Sequence, residues 1–111
     1  MVEFHQKKCI PCEGGIMPFT LEQTNIALKD LPSWVLEDAL FPTIKRVFKF
    51  KDYYQTMAFV NAIAWVAHQE DHHPDLDISY NQCIVRCTTH SIKGISENDF
   101  ILASKIELLI R

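Results

Sequence analysis

No stretch of this 111-residue chain is apolar for long enough to cross a membrane, and its first residues, MVEFHQKKCIPCEGG, lack the apolar run of a secretory signal. A cytoplasmic protein with no membrane partner is the expectation. Positive charge is also short: 11 Lys and Arg face 14 Asp and Glu, a net charge of -3. That balance argues against the basic field that nucleic-acid binding needs. No repeat or low-complexity segment interrupts the chain. The four cysteines, with no export signal, read as reduced thiols rather than a disulfide framework. Cys83 and Cys87 lie four apart on a predicted strand, which separates them by roughly 13 Å, too far for a bridge. No HExxH motif occurs. Cys9-Ile-Pro-Cys12 has neither the second CxxC of a zinc knuckle nor the strand-to-helix setting of a thioredoxin-like pair.

What the chain does contain is a 48% apolar share, enough for one domain with a real core. Residues 1–19 are punctuated by Cys9, Pro11, Cys12, Gly14, Gly15 and Pro18, which predicts an irregular or mobile leader before a domain spanning 20–111. Thr20-Leu-Glu-Gln23 fits a capping box, and Leu21, Thr24, Leu28 and Leu31 recur at helical spacing, predicting a helix over 21–30 that ends near Pro32. Ser33–Glu37 is a short strand candidate. Thr43–Phe50 is a better one, with Ile44, Phe48 and Phe50 on one face and Arg46 interrupting it. From Asp52 to about Glu70 the period becomes 3.6, with Tyr53, Met57, Val60, Ala64 and Ala67 on the expected core stripe and Phe59, Ile63 and Val66 beside it. Pro74 is expected to end this helix by pushing His73 out of α geometry. Strands over 76–79 and 82–89 follow, joined at Tyr80-Asn81. Ser96-Glu-Asn-Asp99 matches a second capping box, opening a helix with Phe100, Ala103, Ile106 and Ile110 on its apolar face. The predicted fold is α+β: a two-layer sandwich of a four-stranded antiparallel sheet with three helices on one face. Trp34, Phe48, Phe50, Phe59 and Trp65 are read as core aromatics and Cys83 and Cys87 as small apolar strand residues.

The densest chemistry is in His68-Gln-Glu-Asp-His-His-Pro74, with His90 at the exit of the last predicted strand. Three explanations compete. A histidine at a helix end complements the helix dipole, which suits His68 but not an adjacent pair before proline. His68 and His72 share a helix face and could bind metal with Asp71 and His90, but that spacing is weakly specific. The third is acid–base work, for which an imidazole pKa of about 6.5 leaves both protonation states accessible near neutrality. A helix end and a strand exit can converge on one pocket, and such a site needs no nucleophile, phosphate loop or metal.

The stretches DHHPDLDISYNQCIVRCTTH and GISENDFILASKI closely resemble the pterin-4a-carbinolamine dehydratases, which share His-His-Pro, a Tyr-Asn turn, a strand ending Thr-His and a Gly-hydrophobic-Ser/Thr-x-x-Asp helix start. LPSWVL, IKRVFKF and FVNAIAWVA extend the likeness upstream to Thr20, and the CIPCEGG leader is similar to that of many bacterial members. The resemblance implies dehydration of 4a-hydroxytetrahydropterin, the carbinolamine left by an aromatic amino acid hydroxylase, to quinonoid dihydropterin. It implies catalytic histidines at His72, His73 and His90, a pterin pocket lined by Asp71, Thr88 and Thr89, and the family's late aspartate at Asp99, which is also the acid of the second capping box. His68 stands where members commonly carry a glutamate. No cofactor beyond the pterin substrate and no metal are implied, and a homodimer or homotetramer is the oligomer the resemblance implies. The resemblance also leaves two other functions open: a non-catalytic dimeric binding or regulatory protein, and a dehydratase-like protein of molybdopterin metabolism.

Overall fold

The computed structural model describes residues 3–11, 16–38 and 40–110. Helix α1 (Leu21–Leu28) leads into strands β1 (Val35–Asp38) and β2 (Pro42–Lys49), then helix α2 (Tyr53–Glu70), strands β3 (Asp75–Ser79) and β4 (Gln82–Cys87), and helix α3 (Glu97–Leu108). The four strands form one sheet in the order β1-β2-β4-β3, every neighbouring pair antiparallel. The predicted α+β sandwich is therefore present. Its two central strands, β2 and β4, are not sequential, so α2 lies in the connection between them.

Both capping boxes form. The Thr20 hydroxyl accepts from the Gln23 N–H at 3.1 Å while Gln23 Oε1 takes the Thr20 N–H at 2.9 Å, and Ser96 and Asp99 make the same exchange at the start of α3. Each satisfies backbone donors that the first helical turn leaves orphaned. Helix α1 ends two residues sooner than predicted, because the chain tightens into successive turns through Leu31 before Pro32 is reached.

Strand alternation sorts the sheet cleanly. Ile44, Phe48, Cys83, Val85 and Cys87 face the helices and are buried, while Lys45, Val47, Ile84 and Arg86 lie on the other face. Arg46, on the core face, is resolved as a packing residue: its guanidinium lies 4.4 Å from the Phe48 ring centre and bonds to Glu107, which also accepts the Trp34 indole N–H at 2.8 Å.

Helix α2 is rotated from its predicted orientation. Its buried line is Thr56, Phe59, Ile63 and Glu70; Tyr53 and Ala64 are exposed, as is Trp65, expected in the core. Thr56 is drawn in because its hydroxyl lies 2.8 Å from the Asp52 carbonyl and 3.1 Å from that of Tyr80. Glu70 is drawn in by Lys105, 2.6 Å away on α3. Helix α3 is buried more completely than one apolar face would require: Phe100, Ile101, Leu102 and Ala103 are all inaccessible, whereas Ile110, placed on the core face by its spacing, is 41% exposed past the helix end. The extra cover comes from the leader. Phe4, in a short 3-10 turn (Phe4–Gln6), and Phe19 each stack on Phe100 with ring centres 5.5 Å apart.

Candidate active site

Two chain reversals build the site. Helix α2 stops at Asp71, three residues before Pro74, because Asp71 adopts the left-handed conformation (φ 51°, ψ 39°) and its N–H turns back to the last carbonyls of the helix. An aspartate tolerates that conformation better than a branched residue would. The His72 N–H also returns to the Ala67 carbonyl, at 3.3 Å. This cap, rather than the proline, turns the His72 ring inward. The second reversal follows β4, where Thr89 pairs with Gly94 and a short 3-10 turn (His90–Ile92) closes through Lys93, also left-handed.

The His72 side chain is only 10% exposed, and its Nε2 lies 2.8 Å from Asp99 Oδ1. Asp99 is fully buried, and its Oδ2 accepts from the Ser96 N–H at 2.9 Å and from the Thr89 hydroxyl at 2.8 Å. A carboxylate can only accept, so its contact with His72 puts the imidazole proton on Nε2 and the lone pair on Nδ1. Asp99 thus caps α3 with one oxygen and orients His72 with the other. Charge-assisted bonds of this kind are stronger than neutral ones, and a buried carboxylate needs them to offset lost hydration.

His73 and His90 form the outer part of the cluster. Their rings lie 6.4 Å apart and 28° from parallel. His73 Nδ1 is 3.3 Å from the Pro74 carbonyl, which places its hydrogen there and leaves Nε2 unprotonated in the neutral ring. His90 meets Phe41 edge-on at 5.9 Å, and its Nε2 lies 3.5 Å from Asp75 Oδ2. A pocket of about 240 Å³ opens beside it, bordered by Phe41, Asp75, Arg86 and Thr88. Arg86 is held there by Asp77 and by Glu37, which also bonds Lys45 at 2.7 Å. The bonds from Lys45 and Arg86 hold the Glu37 carboxyl below its usual range. A larger hollow of about 550 Å³, walled by Phe4, Phe19 and Ile26, lies among the leader, α1 and the start of α3 and contains no histidine.

The structure therefore brings His73 and His90 side by side and joins His72 to Asp99. Thr88 borders the pocket, its hydroxyl 2.8 Å from the Pro42 carbonyl. Thr89 is 1% exposed and supports Asp99 from behind instead of lining the pocket. Asp71 is an exposed turn residue whose described contribution is the cap. His68 stands apart, on the outer side of α2, its ring 5.4 Å from that of Trp65. Among the described residues, no three His, Cys, Asp or Glu side chains are grouped to hold a metal ion. Cys12, half of the CxxC, lies outside the described residues, while Cys9, Cys83 and Cys87 are buried. Asp75, Phe41 and Arg86, which border this pocket, are not singled out by the sequence; only Asp75 carries a local signal, as the acid directly after His-His-Pro.

Fold and site together define a two-layer α+β protein with a histidine cluster where a helix end meets a strand exit. The family model described as pterin 4 alpha carbinolamine dehydratase matches residues 17–109. Relatives from Nitrosomonas eutropha and Nitrosospira multiformis, both provisionally named pterin-4-alpha-carbinolamine dehydratase, are 57% and 51% identical, each over 105 residues that span 94% and 95% of this chain and 90% of theirs. The crystal structure of a transcriptional coactivator/pterin dehydratase from Brucella melitensis superposes with a TM-score of 0.79 at 34% identity, covering 84% of this chain and 98% of that one. The chain belongs to the pterin-4a-carbinolamine dehydratase family.

Proposed function

We propose that this protein dehydrates 4a-hydroxytetrahydropterin to quinonoid dihydropterin by histidine acid–base catalysis. The C4a–O bond breaks as the leaving hydroxyl takes up a proton, N5 gives up a proton, and one water departs. These two atoms are neighbours on the pterin, so acid and base must sit side by side. The observation that carries the reading is the pairing of His73 with His90, which borders the pocket, while His72, the residue before His73, is held by Asp99. In this reading His73 and His90 move the protons, and His72, fixed in one tautomer by Asp99, presents Nδ1 as an acceptor. Asp75, Arg86 and Thr88 border the space for the polar pterin ring, and Asp71 and Thr89 hold the walls. Each proton transfer contributes on the order of 10²–10⁴ to the rate.

No step requires a resident metal or cofactor, so chelation leaves the rate unchanged. The substrate is supplied by a hydroxylase that oxidises its tetrahydropterin, and the reaction belongs to recycling in the cytoplasm. Self-association to a dimer or tetramer fits the same reading: Tyr54 is 82% and Trp65 60% exposed on one outer face of α2, an unusual cost for a protein that stays single. The test is the dehydration of freshly generated 4a-hydroxytetrahydropterin, followed by ultraviolet absorbance. Acceleration by the wild-type protein, reduced in single alanine variants of His73 and His90, supports the assignment. Folded protein that gives no acceleration overturns it.

A further inference from the structure

The leader does more than cover α3, because its backbone is tied to the neighbours of both members of the His72–Asp99 pair. The Asn98 side chain exchanges two bonds with the backbone of Ile10, receiving its N–H at 3.0 Å and donating to its carbonyl at 2.8 Å. One residue earlier, the Cys9 N–H donates to Glu70 Oε1 at 2.8 Å, and the Cys9 thiol points to the Asn98 carbonyl at 3.5 Å. Glu70 ends α2, two residues before His72, and Asn98 immediately precedes Asp99. Lys105 closes the arrangement, bonding the other Glu70 oxygen at 2.6 Å. The two Cys9 bonds are buried and shielded from competition with water, while those of Ile10 and Lys105 are partly buried. Cys9 and Ile10 also lie outside the residues that the family model matches.

We propose that Cys9 and Ile10 form a backbone clamp that sets the distance between the end of α2 and the start of α3, making Glu70 and Asn98 positioning residues for the His72–Asp99 bond. His72 lies just past the end of α2 and Asp99 in the first turn of α3, so their 2.8 Å bond needs those two helix ends held together; Lys105 ties Glu70 to α3 directly, and the leader adds bonds to both Glu70 and Asn98. The inference rests on the proposed dehydratase for its effect on rate, but not for its effect on His72 itself.

Ile10→Pro deletes one clamp donor at a residue whose side chain is 62% exposed, so little packing changes. Ile10→Ala keeps the donor and serves as the conservative control. In protein labelled with ¹⁵N-histidine, the wild type is expected to show His72 as the Nε2–H tautomer with a slowly exchanging proton. Ile10→Pro is expected to speed that exchange at least tenfold and lower kcat on the order of tenfold with KM little changed, while Ile10→Ala matches the wild type. Asn98→Ala removes both bonds from the other side and is expected to give the same exchange signature. Unchanged exchange in both Ile10→Pro and Asn98→Ala, with circular dichroism showing folded protein, overturns the clamp. The exchange result stands even if no variant, nor the wild type, dehydrates a pterin, so the two proposals fail separately.

Discussion

Replacing Asp99 by asparagine separates its two roles. The fully buried carboxylate receives three bonds: the Ser96 N–H and the Thr89 hydroxyl on one oxygen, and His72 Nε2 on the other. An amide can satisfy the first two only by placing its oxygen there, which turns its NH₂ toward His72. The imidazole must then accept at Nε2 and carry its proton on Nδ1, the reverse of the wild-type tautomer. The cap survives, and stability falls only by the difference between charged and neutral hydrogen bonds, about 1–2 kcal/mol, or a melting shift of roughly 4–15 °C for a domain of this size. The rate falls by much more, about 10²–10⁴-fold, because His72 loses its acceptor where the proposed reaction uses it. Asp99→Ala, by contrast, strips the partner from all three donors and is expected to cost stability as well. The assay pairs thermal unfolding with the dehydration rate. An Asp99→Asn protein that keeps the wild-type rate would refute the argument that the His72 tautomer matters.

Single alanine changes at His73 and His90, both exposed, are expected to leave thermal stability within about 0.5 kcal/mol of wild type while lowering turnover by about 10²–10⁴, checked by melting curves beside kinetics. The buried thiols should be inert: burial raises Cys9 to about 12 and Cys83 to about 11, and pushes Cys87 well up. In a Cys12→Ser variant at pH 8, iodoacetamide is therefore expected to label none of the three until denaturant is added, as mass spectrometry would show. For Glu70, burial raises the carboxyl, but the bonds from Lys105 and the Cys9 N–H and the nearby Lys105 and Lys8 charges outweigh it, leaving it below 4.5. A depressed carboxyl contributes stability that is present above its unfolded value and is lost as pH falls through the folded one. Unfolding curves between pH 6 and pH 3 should accordingly lose less stability in Glu70→Gln than in the wild type.

Much of the fold was legible because local rules were sharp where they applied. Thr20 with Gln23 and Ser96 with Asp99 announced two helix starts, and the alternation of Cys83, Val85 and Cys87 announced a strand with one buried face. Helix α2 was harder, since apolar residues surround it on several sides and the spacing alone admitted more than one core stripe. Its true orientation is selected by partners far away in sequence, Lys105 for Glu70 and the Tyr80 carbonyl for Thr56. The helix stop at Asp71 was hidden for a related reason. Left-handed backbone is common for glycine and infrequent for aspartate, so the proline three residues on is the stronger local stop signal. In the site, the histidines stood out through their density. For Asp99 the local pattern carries only the capping signal and the resemblance alone places it in the site, because its second oxygen acts on a residue 27 positions away. The pocket residues Phe41 and Arg86 come from strands whose local pattern serves the sheet, and the leader's bonds to Glu70 and Asn98 are made by backbone groups that no residue preference reveals.

The most direct test of the central claim is the dehydration rate of fresh 4a-hydroxytetrahydropterin with wild-type protein and with His73→Ala, measured side by side on samples of matched thermal stability. The account predicts a marked acceleration by the wild type that collapses in the variant. Equal acceleration by both would contradict the placement of the chemistry at the paired histidines, and no acceleration by either would contradict the dehydratase itself.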